Sequence, residues 1–280
     1  LNVNSLKIYY EEGGVDEITL VCLHGISSNS RSWRHQLAGL SNHYRVIAWD
    51  VPGYGQSDDP PNPMTMTDYA DYLAGLLDKL ELTQVVVVGL SMGGVLAQEF
   101  YRQHSERVLA LILADTNCGG GARPAAERKT RLEARLKVID TMSPAEIARD
   151  RGPALLSPEA PPELIAEVIE MVSQIHPVGY RYAAIALDGS DTRAVLPTIT
   201  VPTLILWAAE DTITPRPEAE AIYQAVPNSE FAIIAGAGHL SNLEQPEIFN
   251  AAVRTFVENW EVKINEPELN PLTPYCPTHS

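Results

Sequence analysis

Gln84-Val85-Val86-Val87-Val88-Gly89-Leu90-Ser91-Met92-Gly93-Gly94 reads as a strand that turns straight into a helix. Four valines in a row, without polar alternation, suit a strand covered on both faces. Residues 92–104 then continue in a helix-forming pattern. At the junction, Gly89-Leu90-Ser91-Met92-Gly93 has the form G-x-S-x-G. So abrupt a reversal leaves Ser91 at a strained backbone angle, and side chains two residues either side would clash across the turn. It also lifts the Ser91 hydroxyl clear of the sheet to a helix N-terminus, where the dipole favours developing negative charge. A tight structural turn with an incidental serine is the alternative. The flanking strand and helix favour a nucleophile.

Further strand-length apolar runs occur at 18–23, 44–49, 108–114, 203–207 and 230–234. Helical segments at 67–80, 217–225 and 246–260 separate several of them. In the first, Tyr69, Tyr72, Leu73, Leu76, Leu77 and Leu80 form one apolar face, with Thr67 as the expected N-cap. This alternation predicts an α/β fold: a mostly parallel central sheet flanked by helices, with residues 6–10 as a possible antiparallel edge strand. Between about 117 and 197 there is no convincing strand. Helical patterns at 125–141, 144–150, 161–174 and 180–187 are punctuated there by proline and glycine. The expected organisation is a core of residues 1–116 and 198–265, an inserted helical lid at 117–197, and a proline-rich tail at 266–280.

The 280-residue chain is 45% hydrophobic and 20% charged, ordinary values for a globular protein. Its net charge of −16 argues against a nucleic-acid partner, which needs a basic surface. No apolar run reaches the roughly 20 residues of a membrane span. Cys22, Cys118 and Cys276 are too few and too scattered for a disulfide framework or a zinc site, so a cytoplasmic setting is expected. The start at Leu1 leaves room for a removed leader.

A serine hydroxyl needs a positioned base to act as a nucleophile at neutral pH. Of seven histidines, His239 stands out. It lies in Gly236-Ala237-Gly238-His239-Leu240, after the last strand and before the final helix, where a loop at the carboxyl edge can reach Ser91. Asp211 ends the loop after the strand at 203–207 and is the expected acid. Adjacent Glu210 faces away, and Asp115, at the end of the preceding core strand, is the second candidate or else a strand-end cap. The order serine, acid, histidine suits this arrangement. An oxyanion would be met by the backbone amides of Met92 and Ile26, the latter in His24-Gly25-Ile26-Ser27, where Gly25 lets the chain turn. His24 is expected to brace that loop. Trp33 and Leu240 are candidate substrate-binding residues, with core packing as the alternative for each. Asp50-Val51-Pro52-Gly53-Tyr54-Gly55-Gln56-Ser57 lacks the register of a phosphate loop and reads as a structural turn.

Taken together, His24-Gly25, the Asp50–Ser57 loop, the Gly89–Gly94 elbow, Asp211 and Gly238-His239 make the chain resemble the α/β-hydrolase superfamily. Ala114-Asp115-Thr116 and Gly238-His239-Leu240-Ser241-Asn242-Leu243-Glu244-Gln245-Pro246 look most like 3-oxoadipate enol-lactonases and related esterases. The resemblance implies hydrolysis of a small-molecule ester or lactone through an acyl-enzyme, without metal or organic cofactor. A serine at the elbow disfavours the dehalogenases and epoxide hydrolases of this superfamily, which use aspartate there. Carbon–carbon bond hydrolases, perhydrolases and slow-turnover ligand receptors keep the serine. An enol-lactonase would also need a cationic group for an anionic substrate. Arg123, Arg128, Arg131, Arg135, Arg181 and Arg193 lie in or beside the lid, but solvated surface positions are expected for them.

Overall fold

Val85, Val86, Val87 and Val88 are each at most 1% exposed, and they divide between two apolar clusters. Val85 and Val87 pack on one face of a sheet, Val86 and Val88 on the other. That is why the run carries no polar alternation. The computed structural model describes residues 1–265, with side chains described through Trp260. The tail expected at 266–280, Cys276 included, lies outside the described residues.

The strands are β1 (Asn2–Val3), β2 (Leu6–Lys7), β3 (Tyr10–Gly13), β4 (Thr19–Leu23), β5 (Arg45–Trp49), β6 (Val85–Leu90), β7 (Val108–Ala114), β8 (Thr203–Ala208) and β9 (Ser229–Ile234). Seven form one sheet in the order β3-β5-β4-β6-β7-β8-β9. All its pairings are parallel except β3 with β5. The antiparallel edge is therefore Tyr10–Gly13, not residues 6–10. Leu6–Lys7 folds back on Asn2–Val3 instead, through a turn in which Asn4 and Ser5 both have positive φ, 44° and 71°. Such a turn matches the twist of a short hairpin and separates it from the sheet.

Helices α1 (Arg34–Leu40), α2 (Met66–Lys79) and α3 (Met92–His104) follow the early strands. The cap of α2 is Thr65 rather than Thr67. The Thr65 hydroxyl accepts from the Asp68 N–H at 3.2 Å, and the Asp68 carboxylate accepts from the Thr65 N–H at 2.7 Å. This reciprocal pair satisfies two otherwise orphan donors. Thr67 instead donates to Glu99 at 2.7 Å.

Between β7 and β8 the chain leaves the sheet for α4 (Ala125–Thr141), α5 (Pro144–Arg151), α6 (Pro162–Val172) and α7 (Pro177–Gly189). It returns to α8 (Arg216–Ala225), the short α9 (Ser241–Glu244) and α10 (Pro246–Asn265). Leu73 and Leu77 of α2, Phe100 of α3 and Ile222 of α8 cover one face of the sheet. Leu40 of α1 with Phe249 and Val253 of α10 cover the other. No helix among the described residues is long and apolar enough to cross a membrane.

The inserted helices meet the core at a point where two backbones touch. A Cβ on Gly179 of α7 would overlap the carbonyl of Gly53, and one on Gly53 would overlap the Gly179 backbone. Gly53 also has φ +87°, a conformation that side-chain-bearing residues avoid. Gly179→Ala would raise helix propensity by about 1 kcal/mol. It should nevertheless lower the stability measured by urea denaturation, by about 1–3 kcal/mol of overpacking. An unchanged or raised urea midpoint would show that the two backbones do not meet.

Candidate active site

From β4 the chain runs to β5 on one side, whereas β6 pairs with the other side of β4. Loops leaving the carboxyl ends of β4 and β6 therefore diverge, opening the crevice where ligands enter open α/β sheets. Ser91 stands at the end of β6, with φ +57° and ψ −118°. A Cβ on Gly93 would overlap the carbonyl of Leu23, and one on Gly89 would overlap that of Gly93. Helix α3 thus starts hard against the end of β4. Across the crevice, a Cβ on Gly25 would lie 3.1 Å from the Ser91 Cβ. Gly25 is needed there for close approach, while the positive φ of that loop, +69°, falls on Ser27.

The three residues expected to act together lie in one hydrogen-bonded chain. The Ser91 Oγ is 2.8 Å from His239 Nε2, and His239 Nδ1 is 2.9 Å from Asp211 Oδ2. Asp211 is fully buried at its side chain and His239 is 5% exposed. Asp211 Oδ1 also accepts the N–H groups of Ile213 at 2.7 Å and Thr214 at 3.1 Å, and the Thr214 hydroxyl donates to Oδ2. Burial alone would raise the Asp211 carboxyl. The hydrogen bond and charge of His239, with the Thr214 donors, outweigh it and hold the group below its ordinary value. An anionic Asp211 fixes the imidazole proton on Nδ1 and leaves Nε2 to accept from Ser91. Glu210 is exposed.

A cavity of about 380 Å³ opens over this chain and is lined by Ser91, His239, Ile26, Met92 and Leu240 among others. Met92 is the first residue of α3, so its N–H has no acceptor within the helix. Trp33 is a correction. It is fully buried, packs edge-on against Phe249 at 6.0 Å between ring centroids, and does not line the cavity. Its indole fills the core between the sheet and α10.

His24 is buried and held at both nitrogens. Nδ1 is 2.8 Å from the Gly25 carbonyl, and the Val51 N–H donates to Nε2 at 3.1 Å. Burial, opposed by Asp50 and by the Gly25 bond, lowers its proton affinity, so a neutral ring ties the loop after β4 to the loop after β5. Asp50 organises that second loop by accepting the N–H groups of Ser30 at 2.6 Å and Gln56 at 2.7 Å.

Two further carboxylates support the site: Asp115, in the strand-end role given above as its alternative, and Glu244, which the sequence did not single out. Asp115, fully buried at φ +46°, accepts the Ala208 N–H at 2.7 Å and the Ser241 hydroxyl. It ties the ends of β7 and β8 to the segment just after His239. Glu244 accepts the N–H of Gly238 at 2.8 Å and that of Ser157 at 3.0 Å, while the Leu240 N–H donates to the Leu155 carbonyl at 3.1 Å. The histidine loop is thereby fastened to the insertion. No local spacing signals either contact, because the partners are 126 and 87 residues away.

The six arginines singled out between residues 117 and 197 fall into two groups. Arg123, Arg128, Arg181 and Arg193 face carboxylates of Glu218, Asp188, Asp140 and Asp191. Arg131 and Arg135 line the cavity over Ser91, as does Arg151, which the sequence did not single out.

Burial first, then the charge of Asp211, pushes the Asp115 carboxyl up to about 7, against the opposing pull of His239, Ser241 and Ala208. Its ordinary value is 3.8, so between about pH 4 and pH 7 the folded protein keeps a proton that the unfolded chain has released. That contribution is fully present below the lower limit and is lost as pH rises through the upper. Asp115→Asn keeps an acceptor for Ala208 and suits a left-handed backbone. Its Tm should fall less than wild type between about pH 5 and pH 8; equal slopes in the two proteins would contradict the assignment.

Residues 20–252 match the alpha/beta hydrolase family. The chain is 27% identical over 255 residues to 3-oxoadipate enol-lactonase 2 of Acinetobacter baylyi, covering 90% of this chain and 93% of that protein. Among solved structures, a thermophilic esterase from Thermogutta terrifontis with malate bound superposes with a TM-score of 0.86 at 31% identity, over 92% of this chain and 97% of its own. The enol-lactonase of Burkholderia xenovorans LB400 shares the fold, with a TM-score of 0.85 at 24% identity over 92% of this chain and 99% of its own. Matched through most of its length, the chain belongs to the alpha/beta hydrolase family.

Proposed function

We propose that the protein is a serine hydrolase that cleaves a small-molecule carboxylic ester or lactone through an acyl-enzyme. The observation that carries this reading is the continuous bond chain from Asp211 through His239 to Ser91, open to a cavity at Ser91. His239 Nε2 takes the Ser91 proton as Oγ attacks the carbonyl carbon. The Ile26 and Met92 amides receive the resulting oxyanion, helped by the N-terminus of α3. Collapse expels the alcohol, protonated by His239, or opens the ring of a lactone. Water, deprotonated by the same nitrogen, then releases the acid and restores Ser91. Leu240 forms part of the apolar wall around the bound ester. The helices between β7 and β8 act as the lid of this site, within the 117–197 insertion. The free thiols of Cys22 and Cys118 fit a reducing, cytoplasmic compartment.

Relatives whose names record lactone and ester hydrolysis support the same class. A fluorophosphonate should label wild-type protein once per chain, at Ser91, with fast turnover of short acyl esters. Ser91→Ala should lose the label and at least about 10⁴-fold in kcat, while keeping its circular dichroism spectrum. Full activity in that variant would end the reading, and labelling without turnover of any ester or lactone would point to a ligand receptor. Asp211→Asn should cost about 10³–10⁴-fold in kcat, far more than Asp115→Asn. Comparable losses in the two would move the acid role to Asp115.

A further inference from the structure

Helix α7 enters the core beside the loop after β5. Its Gly179 backbone lies against Gly53, so the residues that follow these glycines, Tyr180 and Tyr54, are brought close. Burial pushes the Tyr54 phenol well above its ordinary value. Tyr69 and Tyr180 add to the rise, whereas Arg135 and the Ser27 N–H oppose it. Tyr180 is thereby set on the side of the Ser91 cavity that Gly25, Ile26 and Ser27 form.

Although only 3% exposed, Tyr180 lines this cavity, and its hydroxyl meets no hydrogen-bond partner among the described residues. The Tyr69 hydroxyl is unpartnered too, but its oxygen is sealed in the core and takes no part in the cavity wall. The Tyr180 oxygen is not sealed in this way, so the surface it keeps faces the cavity. Other hydroxyls of the wall are committed: Ser28 donates to the Met171 sulfur at 3.5 Å, Thr214 to Asp211 and Ser91 to His239. Ser27 is half-buried and keeps some access to solvent. A buried hydroxyl without a partner costs free energy that a bound acceptor recovers. A phenol is a neutral donor, so it selects by hydrogen bonding rather than by charge. Its position also decides which half of an ester it meets. His239 Nε2 has to protonate the departing alcohol, so that half lies toward His239, Thr214 and Ile213. The acyl chain leaves the carbonyl carbon in the other direction, along Ser27 toward Tyr180.

We propose that Tyr180 determines specificity by donating a hydrogen bond to the acyl half of the substrate. The preferred ester or lactone then carries a neutral ketone, ether or hydroxyl oxygen there, in place of a plain alkyl chain. The inference rests on the serine-hydrolase reading of Ser91. An acyl chain without that oxygen leaves the Tyr180 hydroxyl unpaired in the complex. A site built around a hydrogen bond discriminates most strongly against the analogue that lacks it.

The test uses pairs of neutral p-nitrophenyl esters that match in shape and differ by one ether oxygen: methoxyacetate against butanoate, 3-methoxypropanoate against pentanoate, and 4-methoxybutanoate against hexanoate. Within each pair the ratio of kcat/KM, ether to alkyl, is compared between wild type and Tyr180→Phe, which cancels the intrinsic reactivity of the esters. At the length that brings the oxygen to Tyr180 the ratio should fall about five- to tenfold in the variant, the scale of one neutral hydrogen bond. Tyr69→Phe removes a phenol that does not line the cavity and should leave every ratio as in wild type. Ratios unmoved by Tyr180→Phe at all lengths, or moved equally by Tyr69→Phe, would overturn the assignment while leaving Ser91 as the nucleophile. If wild type cleaves no ester, the hydrolase reading fails separately, and calorimetric titration with the same esters as intact ligands decides. An ether preference lost in Tyr180→Phe then supports the contact, and equal or absent binding rejects it.

Discussion

The Ser91 backbone is held where residues with side chains seldom go, and the site is arranged around that constraint. Its φ of +57° carries a strain of order 1–3 kcal/mol. The restraint comes from several directions at once. The Ser91 N–H donates to the Ala114 carbonyl at 3.0 Å, and its own carbonyl accepts the Thr116 hydroxyl at 2.6 Å. Helix α3 cannot back away, because Gly93 sits against the end of β4 and Gly89 against the start of the helix. Neighbouring strands thus fix the serine on both sides, while the buried valines of β6 anchor it from below. A side chain set this way has little freedom left to lose.

Two buried carboxylates flank one histidine, and their surroundings divide the work. Asp211 meets two backbone N–H groups, the Thr214 hydroxyl and the imidazole, so it stays ionised. Asp115 has one backbone N–H and one hydroxyl, with Asp211 as a like-charged neighbour, so it holds its proton toward neutrality. Both ionised together would repel in a low-dielectric interior. Separate proton affinities let one group orient His239 while the other braces the loop that carries it.

The sheet and the strand–helix turn at Ser91 were legible because their signals are local. Val85–Val88 needs no partner to be read as a doubly covered strand, and the elbow spans only five residues. Asp211 and His239 were legible because each follows a strand whose carboxyl end must face Ser91. The N-terminal hairpin was not, since Asn2–Val3 and Leu6–Lys7 are only two residues each, too short for their alternation to be told from a single edge strand. Thr65 was passed over for Thr67 because the two threonines lie two residues apart and only the Asp68 bond separates them. Trp33 showed why an aromatic near a site is ambiguous: Phe249, its partner, is 216 positions along the chain. Arginine roles in α4 and α5 depend on which carboxylates come near in three dimensions, which composition cannot tell.

The Glu244 contacts bear on how this protein could be rebuilt. Lids are commonly regarded as interchangeable modules set on a constant scaffold. Here the scaffold carboxylate Glu244 binds Ser157 of the insertion and Gly238 beside the base, and the insertion carbonyl of Leu155 holds Leu240. The insertion is therefore part of the histidine's mounting. A chimaera that imports a relative's insertion without the matching 236–245 loop inherits a mismatched seat for His239, and loosens its bonds to Ser91 and Asp211. The unit of exchange is the insertion together with that loop, two segments far apart in the chain that behave as one mechanical part.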